Sequence, residues 1–228
     1  MSILFSDFDN TIYFKDDMDK TFNNINAINK FIESGNIFTI VTGRNYNDIK
    51  KEIDRYNIPY SYLICCDGAI IFDCNDNCLD VTVLENNIID DIIDKLNIDS
   101  SKIIFDNGYH FTDSRIGAVR VVLNKDDCID KNLCILNNDD IWTYMSTKHI
   151  NINSKCNDKK FAVYKLIKLL GIVDSIHVIG DSVNDYCMLK EFNGVTVENH
   201  ANIIDHLGIN TYDSLEDYIN FLINSCNM

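Results

Sequence analysis

Basic residues are scarce in this chain. Only 20 Lys and Arg stand against 35 Asp and Glu among 228 residues, so the formal net charge is −15 at pH 7. Proteins that bind nucleic acid normally present a basic face, and attachment to acidic lipid requires basic segments. The charge balance therefore argues against nucleic-acid and membrane partners and indicates an acidic, solvated surface.

Long apolar segments are also missing. No run approaches the roughly 18 apolar residues of a membrane-spanning helix, and Asp7 and Asp9 come too early for a signal peptide. Nine cysteines are present, but none forms a Cys-x-x-Cys pair or a Cys/His cluster with zinc spacing. We therefore expect reduced thiols and a cytoplasmic location.

Two common ligand motifs are absent as well. The chain has no Gly-x-x-x-x-Gly-Lys phosphate loop. Residues 73–77 begin like a calcium-binding loop, but Cys78 stands where the loop needs glycine and Leu84 where it needs glutamate. These two kinds of site are thereby excluded, and the chemistry must come from other residues.

Apolar runs alternate with helical patterns at both ends of the chain. Continuous apolar runs predict strands buried on both faces, and strands separated by helices predict a parallel sheet. We therefore expect an α/β fold with a doubly wound, mostly parallel, Rossmann-like sheet. The predicted elements are strands 3–5, 37–41, 62–65, 175–179 and 194–197, and helices 20–34, 46–56, 159–170, 183–192 and 214–225.

A different pattern separates these two α/β segments. Residues 70–73 and 81–84 indicate a hairpin, 87–97 an amphipathic helix, and 103–153 a series of short strands joined by turns. This stretch predicts a smaller, mostly antiparallel insert. The predicted domains are a discontinuous α/β core at 1–69 and 156–228 and an inserted α+β cap domain at 70–155.

Polar side chains follow the predicted core strands where each strand ends. Asp7 and Asp9 follow the first strand, Thr42 the second, Asp67 the third and Asp181 the strand near residue 178. Ligands of open α/β sheets bind outside these ends, so we expect several of these side chains to meet in one crevice. Asp7 and Asp9 project to the same face, where they repel unless a proton or cation intervenes. Three carboxylates without thiolate or imidazole suit Mg²⁺.

Two segments add groups that can bind phosphate. Thr42, Gly43 and Arg44 precede a helix whose free N–H groups favour an anion, although Thr42 would also serve as an ordinary helix cap. Lys159 opens another helix, where the helix dipole disfavours a cation unless an anion compensates for it. An exposed surface lysine is the alternative interpretation of Lys159.

A third segment, Gly-Asp-x-x-Asn-Asp at residues 180–185, follows a buried strand and starts a helix. Gly180 permits close approach of the backbone. Asp181 lies in the turn, and Asp185 lies in the first helical turn, where a carboxylate also complements the helix dipole. The segment is a candidate to complete the metal site.

Taken in this order, the segments resemble the motifs of the haloacid dehalogenase (HAD) superfamily, specifically its Cof-type sugar-phosphatase-like branch. The first motif, Asp-x-Asp-x-Thr, matches residues 7–11, and the second, a Thr or Ser after the second strand, matches Thr42. The third, a lysine that opens a helix, matches Lys159, and the fourth matches residues 180–185. The resemblance covers the core and leaves the insert without a matching motif.

Three positions depart from that pattern. Asn10 replaces the usual glycine, Lys160 replaces the glycine after the motif lysine, and Asp67 stands where asparagine is common. None of these changes removes a group expected to be catalytic.

The resemblance implies a magnesium-dependent phosphatase that hydrolyses a small phosphorylated metabolite, with a sugar phosphate favoured. Asp7 is expected to attack phosphorus and carry the phosphoryl group, and Asp9 to act as general acid and then general base. Mg²⁺ is expected to be bound by Asp7, Asp181 and Asp185, and by Asp9 through its backbone carbonyl. The expected substrate-binding residues are Thr42, Gly43, Arg44, Lys159 and Asn184.

Three alternatives stay open at this point. A phosphomutase of the same superfamily would share Asp7, Asp9 and the metal. A phosphoacceptor signalling domain would instead carry the phosphoryl group on Asp67, and a catalytically inactive binding protein would use the crevice only to bind a ligand. In the insert, the candidates to face the cleft are Tyr109, His110, Arg115 and Arg120.

Overall fold

The computed structural model describes residues 1–96, 100–125, 140–146, 148–171 and 174–225. The strands are β1 Ser2–Ser6, β2 Ile37–Val41, β3 Tyr62–Cys65, β4 Ile70–Asp73, β5 Cys78–Val81, β6 Ile103–Asp106, β7 Phe111–Thr112, β8 Arg120–Asn124, β9 Ile141–Met145, β10 His149–Ser154, β11 Ser175–Gly180, β12 Val195–Val197 and β13 Thr211–Tyr212. The helices are α1 Met18–Glu33, α2 Tyr46–Tyr56, α3 Asn86–Leu96, α4 Lys159–Leu170, α5 Tyr186–Glu191 and α6 Leu215–Ser225. Within the described part of the chain, no helix has the length and apolar character needed to cross a membrane.

The larger sheet has eight strands in the order β13-β12-β11-β1-β2-β3-β4-β5. The strands from β13 to β3 are parallel, with β1 and β11 in the middle. Leu4 packs with Ile28 of α1 and Ile219 of α6 on one face, while Ile3 and Phe5 pack with α4 on the other. The predicted doubly wound, mostly parallel α/β fold is therefore confirmed.

The hairpin formed by β4 and β5 belongs to this larger sheet. β4 pairs antiparallel with β3, with Leu63 opposite Phe72, and β5 pairs with β4. The predicted boundary at residue 70 thus falls within the hydrogen-bonded sheet, and the second strand of the hairpin lies at Cys78–Val81 rather than 81–84. Ile70 to Phe72 are buried, so pairing along β3 removes an apolar edge from water. We propose that the insert begins after Val81.

The smaller sheet has five strands in the order β7-β6-β8-β10-β9, and its pairs are antiparallel. Its apolar face, which includes Val121 and Ile152, packs against Ile89 and Ile92 of α3. Its polar face lies towards the larger sheet, because side chains from β8 and β9 donate hydrogen bonds to Asp67 after β3. The part of the predicted insert at 126–139 lies outside the described residues.

Candidate active site

Asp7 lies directly after β1, at the carboxyl end of a central strand. Its backbone N–H donates to the Ile179 carbonyl oxygen at 3.0 Å, which fixes the residue against β11. Lys159 Nζ donates to Asp7 Oδ1. Among the described residues, Asp7 Oδ2 has no hydrogen-bond partner although it is buried. Burying a carboxylate oxygen without a hydrogen-bond partner costs free energy. We therefore expect a cation or a polar group of a ligand to contact Asp7 Oδ2.

Three carboxylates meet at this point. One oxygen from each of Asp7, Asp181 and Asp185 lies within 4.8 Å of the other two, and all three residues are buried. Asp181 follows β11, the neighbour of β1, which explains how residues so distant in sequence come together. Oxygen ligands of this kind fit a hard divalent cation such as Mg²⁺. The cluster contains three of the four residues predicted to bind metal.

Asp181 is oriented by the loop that follows β1. Asn10 Nδ2 and Thr11 Oγ1 lie 3.5 and 3.4 Å from its two carboxylate oxygens, and Ser182 Oγ donates at 3.2 Å. Asn10 has a φ of 59°, in the left-handed region that glycine and asparagine tolerate best. The replacement of glycine at this position therefore keeps the backbone turn and adds a polar contact to Asp181.

Asp185 is occupied by hydrogen bonds from the protein. Its Oδ2 accepts from the N–H groups of Asp181 at 3.1 Å and Ser182 at 2.8 Å, and its Oδ1 accepts from Lys159 Nζ at 2.6 Å. A Cβ atom at Gly180 would lie 2.5 Å from Asp185 Cγ, so only glycine fits there. Asp185 thus fixes both the turn that carries Asp181 and the position of Lys159.

Lys159 is completely buried between Asp7 and Asp185. It is the first residue of α4, whose N-cap is Asp158, and Asp158 Oδ1 accepts from Phe161 N at 2.8 Å. Burial alone would lower the pKa of Lys159, but the carboxylates of Asp185 and Asp7 raise it above its ordinary value, so the side chain stays charged. The alternative of an exposed surface lysine is excluded.

The carboxylate cluster retains an excess of negative charge. Burial raises the pKa of Asp7 well above its ordinary value, and Asp185 and Asp181 add to this effect while Lys159 opposes it. Burial and Asp185 also raise the pKa of Asp181. One lysine therefore does not neutralise three carboxylates, and a bound divalent cation would relieve their repulsion.

Asp9 lies outside this cluster and is paired with Arg44. Arg44 Nε donates to Asp9 Oδ2 at 2.9 Å, and the Arg44 NH2 group lies 2.5 Å from Asp9 Oδ1. The Asp9 side chain is 48% exposed, and the Arg44 guanidinium lies over the Phe8 ring. The structure thus places Arg44, predicted to bind substrate, on the carboxylate predicted to be the general acid and base.

Thr42 and Gly43 shape the backbone beside the cluster. Thr42 is buried after β2, and its Oγ1 accepts from Arg44 N at 3.1 Å. A Cβ atom at Gly43 would lie 3.0 Å from both Asp67 Oδ1 and Tyr144 Oη, so glycine keeps this approach open. Thr42 therefore begins the turn that presents Gly43 and Arg44 to the cleft.

Asn184 contacts a second buried carboxylate, that of Asp67. Asn184 Nδ2 donates to Asp67 Oδ1 at 2.8 Å, while Tyr144 Oη and Arg120 NH1 donate to Asp67 Oδ2 at 2.8 and 3.3 Å. Arg120 also donates to Asp106. Asp67 is fully buried and has a φ of 59°. It joins the two sheets, a role that the residue patterns did not predict.

A cleft of about 850 Å³ lies between the two sheets and includes Asp7, Asp9 and Asp181 in its walls. Of the four insert residues predicted to face the cleft, Arg120 lines it. Tyr109 instead packs on Tyr46 and Phe72, and Arg115 pairs with Asp90. His110 lines a separate cavity beside α2. Tyr144, Asn151 and His149 line the cleft from the smaller sheet, and none of them was a sequence candidate.

Comparison with solved structures shows the same fold in other proteins. A protein from Plasmodium vivax described as a HAD/COF-like hydrolase superposes with a TM-score of 0.81 at 18% identity, covering 98% of this chain and 96% of that one. A phosphatase of the HAD superfamily from Bacteroides thetaiotaomicron gives 0.78 at 16% identity, covering 98% and 94%. A haloacid dehalogenase-like hydrolase from B. subtilis gives 0.76 at 16% identity, covering 96% of each chain.

Sequence comparison supplies the family. No curated protein matches this sequence. The sequence profile of haloacid dehalogenase-like hydrolases matches residues 4–118 and 116–207, which together span most of the chain and include all four motifs. The family resemblance predicted from those motifs is thereby confirmed, and the chain belongs to the haloacid dehalogenase-like hydrolase family.

Proposed function

We propose that the protein is a magnesium-dependent phosphatase that hydrolyses a small phosphorylated metabolite through a phosphoryl group carried on Asp7. The observation that carries this proposal is the state of the Asp7 carboxylate. Its Oδ1 is held by Lys159, while its Oδ2 is buried, unpartnered within the described structure and beside Asp181. An oriented carboxylate with one oxygen free suits a nucleophile.

The reaction would occur in two steps on this carboxylate. In the first step Asp7 Oδ2 forms a bond to phosphorus, the bond from phosphorus to the leaving oxygen breaks, and Asp9 gives that oxygen a proton. In the second step Asp9 takes a proton from water, whose oxygen bonds to phosphorus while the bond to Asp7 breaks. Inorganic phosphate leaves and both carboxylates return to their initial state.

The donor set fits Mg²⁺. Asp7 and Asp181 would bind the ion, together with the backbone carbonyl of Asp9, and Asp185 would support the site through its hydrogen bonds to the Asp181 turn. When bound, Mg²⁺ supplies positive charge to the phosphoryl oxygens and lowers the repulsion among the carboxylates.

Other residues would bind the phosphoryl group. The charged Lys159 already reaches Asp7 Oδ1, so its Nζ lies close to where the transferred phosphoryl oxygens would lie. Thr42, Gly43 and Asn184 come from the turns on either side of Asp7 and would donate to the same oxygens. The resemblance to Cof-type hydrolases favours a sugar phosphate, and a cleft of about 850 Å³ suits a ligand of that size.

A cytoplasmic location agrees with the state of the thiols. The six cysteines in the described part of the chain are free, and four of these are exposed. Disulfides are rare in reducing compartments, where exposed thiols persist.

A phosphate-release assay tests the proposal. The protein is incubated with sugar phosphates, nucleotides and cofactor phosphates, in Mg²⁺ or in a chelator, and free phosphate is measured. We expect release that requires Mg²⁺ and is abolished by Asp7→Asn, whereas the exposed Asp16→Asn variant keeps full activity. Formation of an isomeric phosphate without free phosphate would instead establish a phosphomutase, and activity retained by Asp7→Asn would refute the mechanism.

A further inference from the structure

A loop of the insert lies on the N-terminus of helix α2 in the core. The backbone N–H groups of Tyr46 and Asn47 donate to the carbonyl oxygens of Gly108 and Tyr109 at 2.9 and 3.0 Å. These are the first two N–H groups of the helix, which have no acceptor within the helix itself. The insert therefore occupies two donors that would otherwise be available to an anion. We call residues 106–110 the anchor loop.

The anchor loop is held in shape by its own hydrogen bonds and also packs on the core. Asn107 Oδ1 accepts from the N–H groups of Tyr109 and His110, both at 3.0 Å. The ring centroid of Tyr109 lies 5.6 Å from that of Tyr46 and 5.6 Å from that of Phe72. Aromatic pairs at this distance contribute packing energy beyond the area they bury. The loop thus combines polar and apolar contacts with the core.

The insert is attached to the core at two further places. Tyr144 and Arg120 of the smaller sheet donate to the Asp67 carboxylate at 2.8 and 3.3 Å. The two chain segments that connect core and insert are joined to each other, because Asn157 Nδ2 donates to the Thr82 carbonyl oxygen at 3.1 Å. A hinge rotation about these connecting segments would have to break the contacts at Asp67 and at the anchor loop together.

The cleft is open to solvent while all of these contacts are in place. Val183 lines it from the core and Met145 lines it from the insert, and they are 52% and 60% exposed. Lys15 and Asn199 belong to the same lining and are also exposed. A small ligand therefore does not need a displacement of the insert in order to enter the cleft.

We propose that the anchor loop fixes the insert on the core, so that the two form one rigid unit and ligands enter through the open side of the cleft rather than beneath a lifting lid. A fixed insert keeps the cleft near 850 Å³, a volume that suits small ligands. This inference concerns the fold and does not depend on the proposed phosphatase activity.

Amide hydrogen exchange measured residue by residue by NMR tests the attachment. Within the described part of the chain, the N–H groups of Tyr46 and Asn47 donate only to the anchor loop, so each lifting of the insert would allow them to exchange. We expect both amides to exchange about a thousandfold more slowly than in an unfolded chain, or slower still. Exchange within about tenfold of the unfolded rate would overturn the proposal.

The same measurement with Mg²⁺ and inorganic phosphate distinguishes a fixed insert from a lid. A rigid unit predicts that the exchange rates of Tyr46 and Asn47 keep their ratio to that of Phe5 in the central strand β1. A lid that closes on a ligand would slow Tyr46 and Asn47 selectively. Selective slowing would therefore contradict the proposal.

Tyr109→Ala removes the aromatic packing of the anchor loop. We expect Tyr46 and Asn47 to exchange about tenfold faster in this variant, relative to strand β1. The matched control is Phe111→Ala, because Phe111 is 40% exposed against 39% for Tyr109 but packs on His149 within the smaller sheet. The control should keep wild-type exchange, and thermal melting checks that both variants fold. No acceleration in Tyr109→Ala, or equal acceleration in both variants, would overturn the role of the loop.

Trp142 gives a second measurement of the rigid unit. It is the only tryptophan of the chain and lies on β9 of the insert, whereas most of the described helices belong to the core. In chemical denaturation, Trp142 fluorescence and far-UV circular dichroism should therefore follow one transition with the same midpoint. A fluorescence transition at a lower denaturant concentration would show that the insert unfolds separately and would contradict the proposal.

Discussion

Arg44 contacts both carboxylate oxygens of Asp9, with its Nε atom 2.9 Å from Oδ2. The two residues follow neighbouring parallel strands, β1 and β2, so their pairing follows from the sheet order. Paired contacts of this kind hold a carboxylate in one orientation, which a single ammonium group does not achieve. We infer that Arg44 positions Asp9, the carboxylate proposed to transfer protons to and from the reacting oxygens.

Arg44→Lys tests this positioning role. Lysine keeps the charge but loses the planar pair of donors, so Asp9 should sample several orientations. We expect kcat to fall by about tenfold or more, with a smaller effect on a substrate whose leaving group needs no proton. Steady-state kinetics with alkyl and 4-nitrophenyl phosphates measure both effects. Arg55→Lys, at an exposed position of α2, is the control, and wild-type kcat in Arg44→Lys would rule out this role for the arginine.

Asp181→Asn tests the metal site by stability rather than by activity. Mg²⁺ that binds only the folded protein should stabilise the wild type by about 2.7 kcal/mol at one hundred times its dissociation constant. The variant should lose this stabilisation because one of the three clustered carboxylates is neutral. Thermal melts with and without Mg²⁺ measure the difference, with Asp16→Asn as control. An unchanged Mg²⁺-dependent shift in Asp181→Asn would place the ion elsewhere.

The hydrogen bonds that Asp67 accepts from the two sheets should contribute substantially to the free energy of unfolding. Asp67→Ala would remove the acceptor of hydrogen bonds from the partly buried Asn184 and Tyr144, and the buried Arg120 would keep only Asp106. Breaking a buried ion pair on one side costs about 3 kcal/mol. Chemical denaturation measures this loss, and Asp54→Ala, which removes an exposed partner of Lys50, should change stability little. Equal effects of the two variants would contradict the structural role of Asp67.

His177 gives the fold a defined response to acid. Burial lowers its pKa below the ordinary 6.5, and its Nδ1 lies 3.2 Å from the Tyr218 hydroxyl. Below pH 6.5 the unfolded chain therefore binds a proton at His177 more readily than the folded chain does. The free energy of unfolding falls as the pH decreases from 6.5 towards the lower pKa of His177 in the folded protein. Denaturation at a series of pH values should show a smaller acid-induced loss for His177→Gln than for wild type. The exposed His206→Gln variant should follow wild type, and equal curves for all three would contradict the assignment.

The sequence predicts those strands and site residues that depend only on residues nearby in the chain. Continuous apolar runs identify β1, β2, β3 and β11, and the polar residues that follow them identify the cluster around Asp7. The position of Lys159 at a helix N-terminus favours a nearby anion, and the structure supplies Asp7 and Asp185. These inferences succeed because a strand and the group at its end are adjacent in the chain.

Contacts between distant segments were not predictable in the same way. Arg120 and Tyr144 lie 53 and 77 residues from Asp67, and no periodic pattern records which carboxylate they approach. An apolar run does not indicate which sheet edge it joins, so the sequence pattern places the hairpin of β4 and β5 in the insert, whereas β4 pairs with β3. An asparagine within a strand also gives no sign of lining a cleft, as Asn151 of β10 does.

Trapping the phosphoryl group tests the central claim most directly. The enzyme is quenched in acid during turnover and treated with borohydride, which reduces an acyl phosphate to an alcohol and converts the phosphorylated aspartate to homoserine. Peptide mass spectrometry then identifies the modified position. With 4-nitrophenyl phosphate, whose leaving group needs no proton, Asp9→Asn should slow only the second step and increase the yield. We predict homoserine at residue 7 only when substrate and Mg²⁺ are present. Homoserine at residue 67, or continued turnover with Asp7 never modified, would contradict the account.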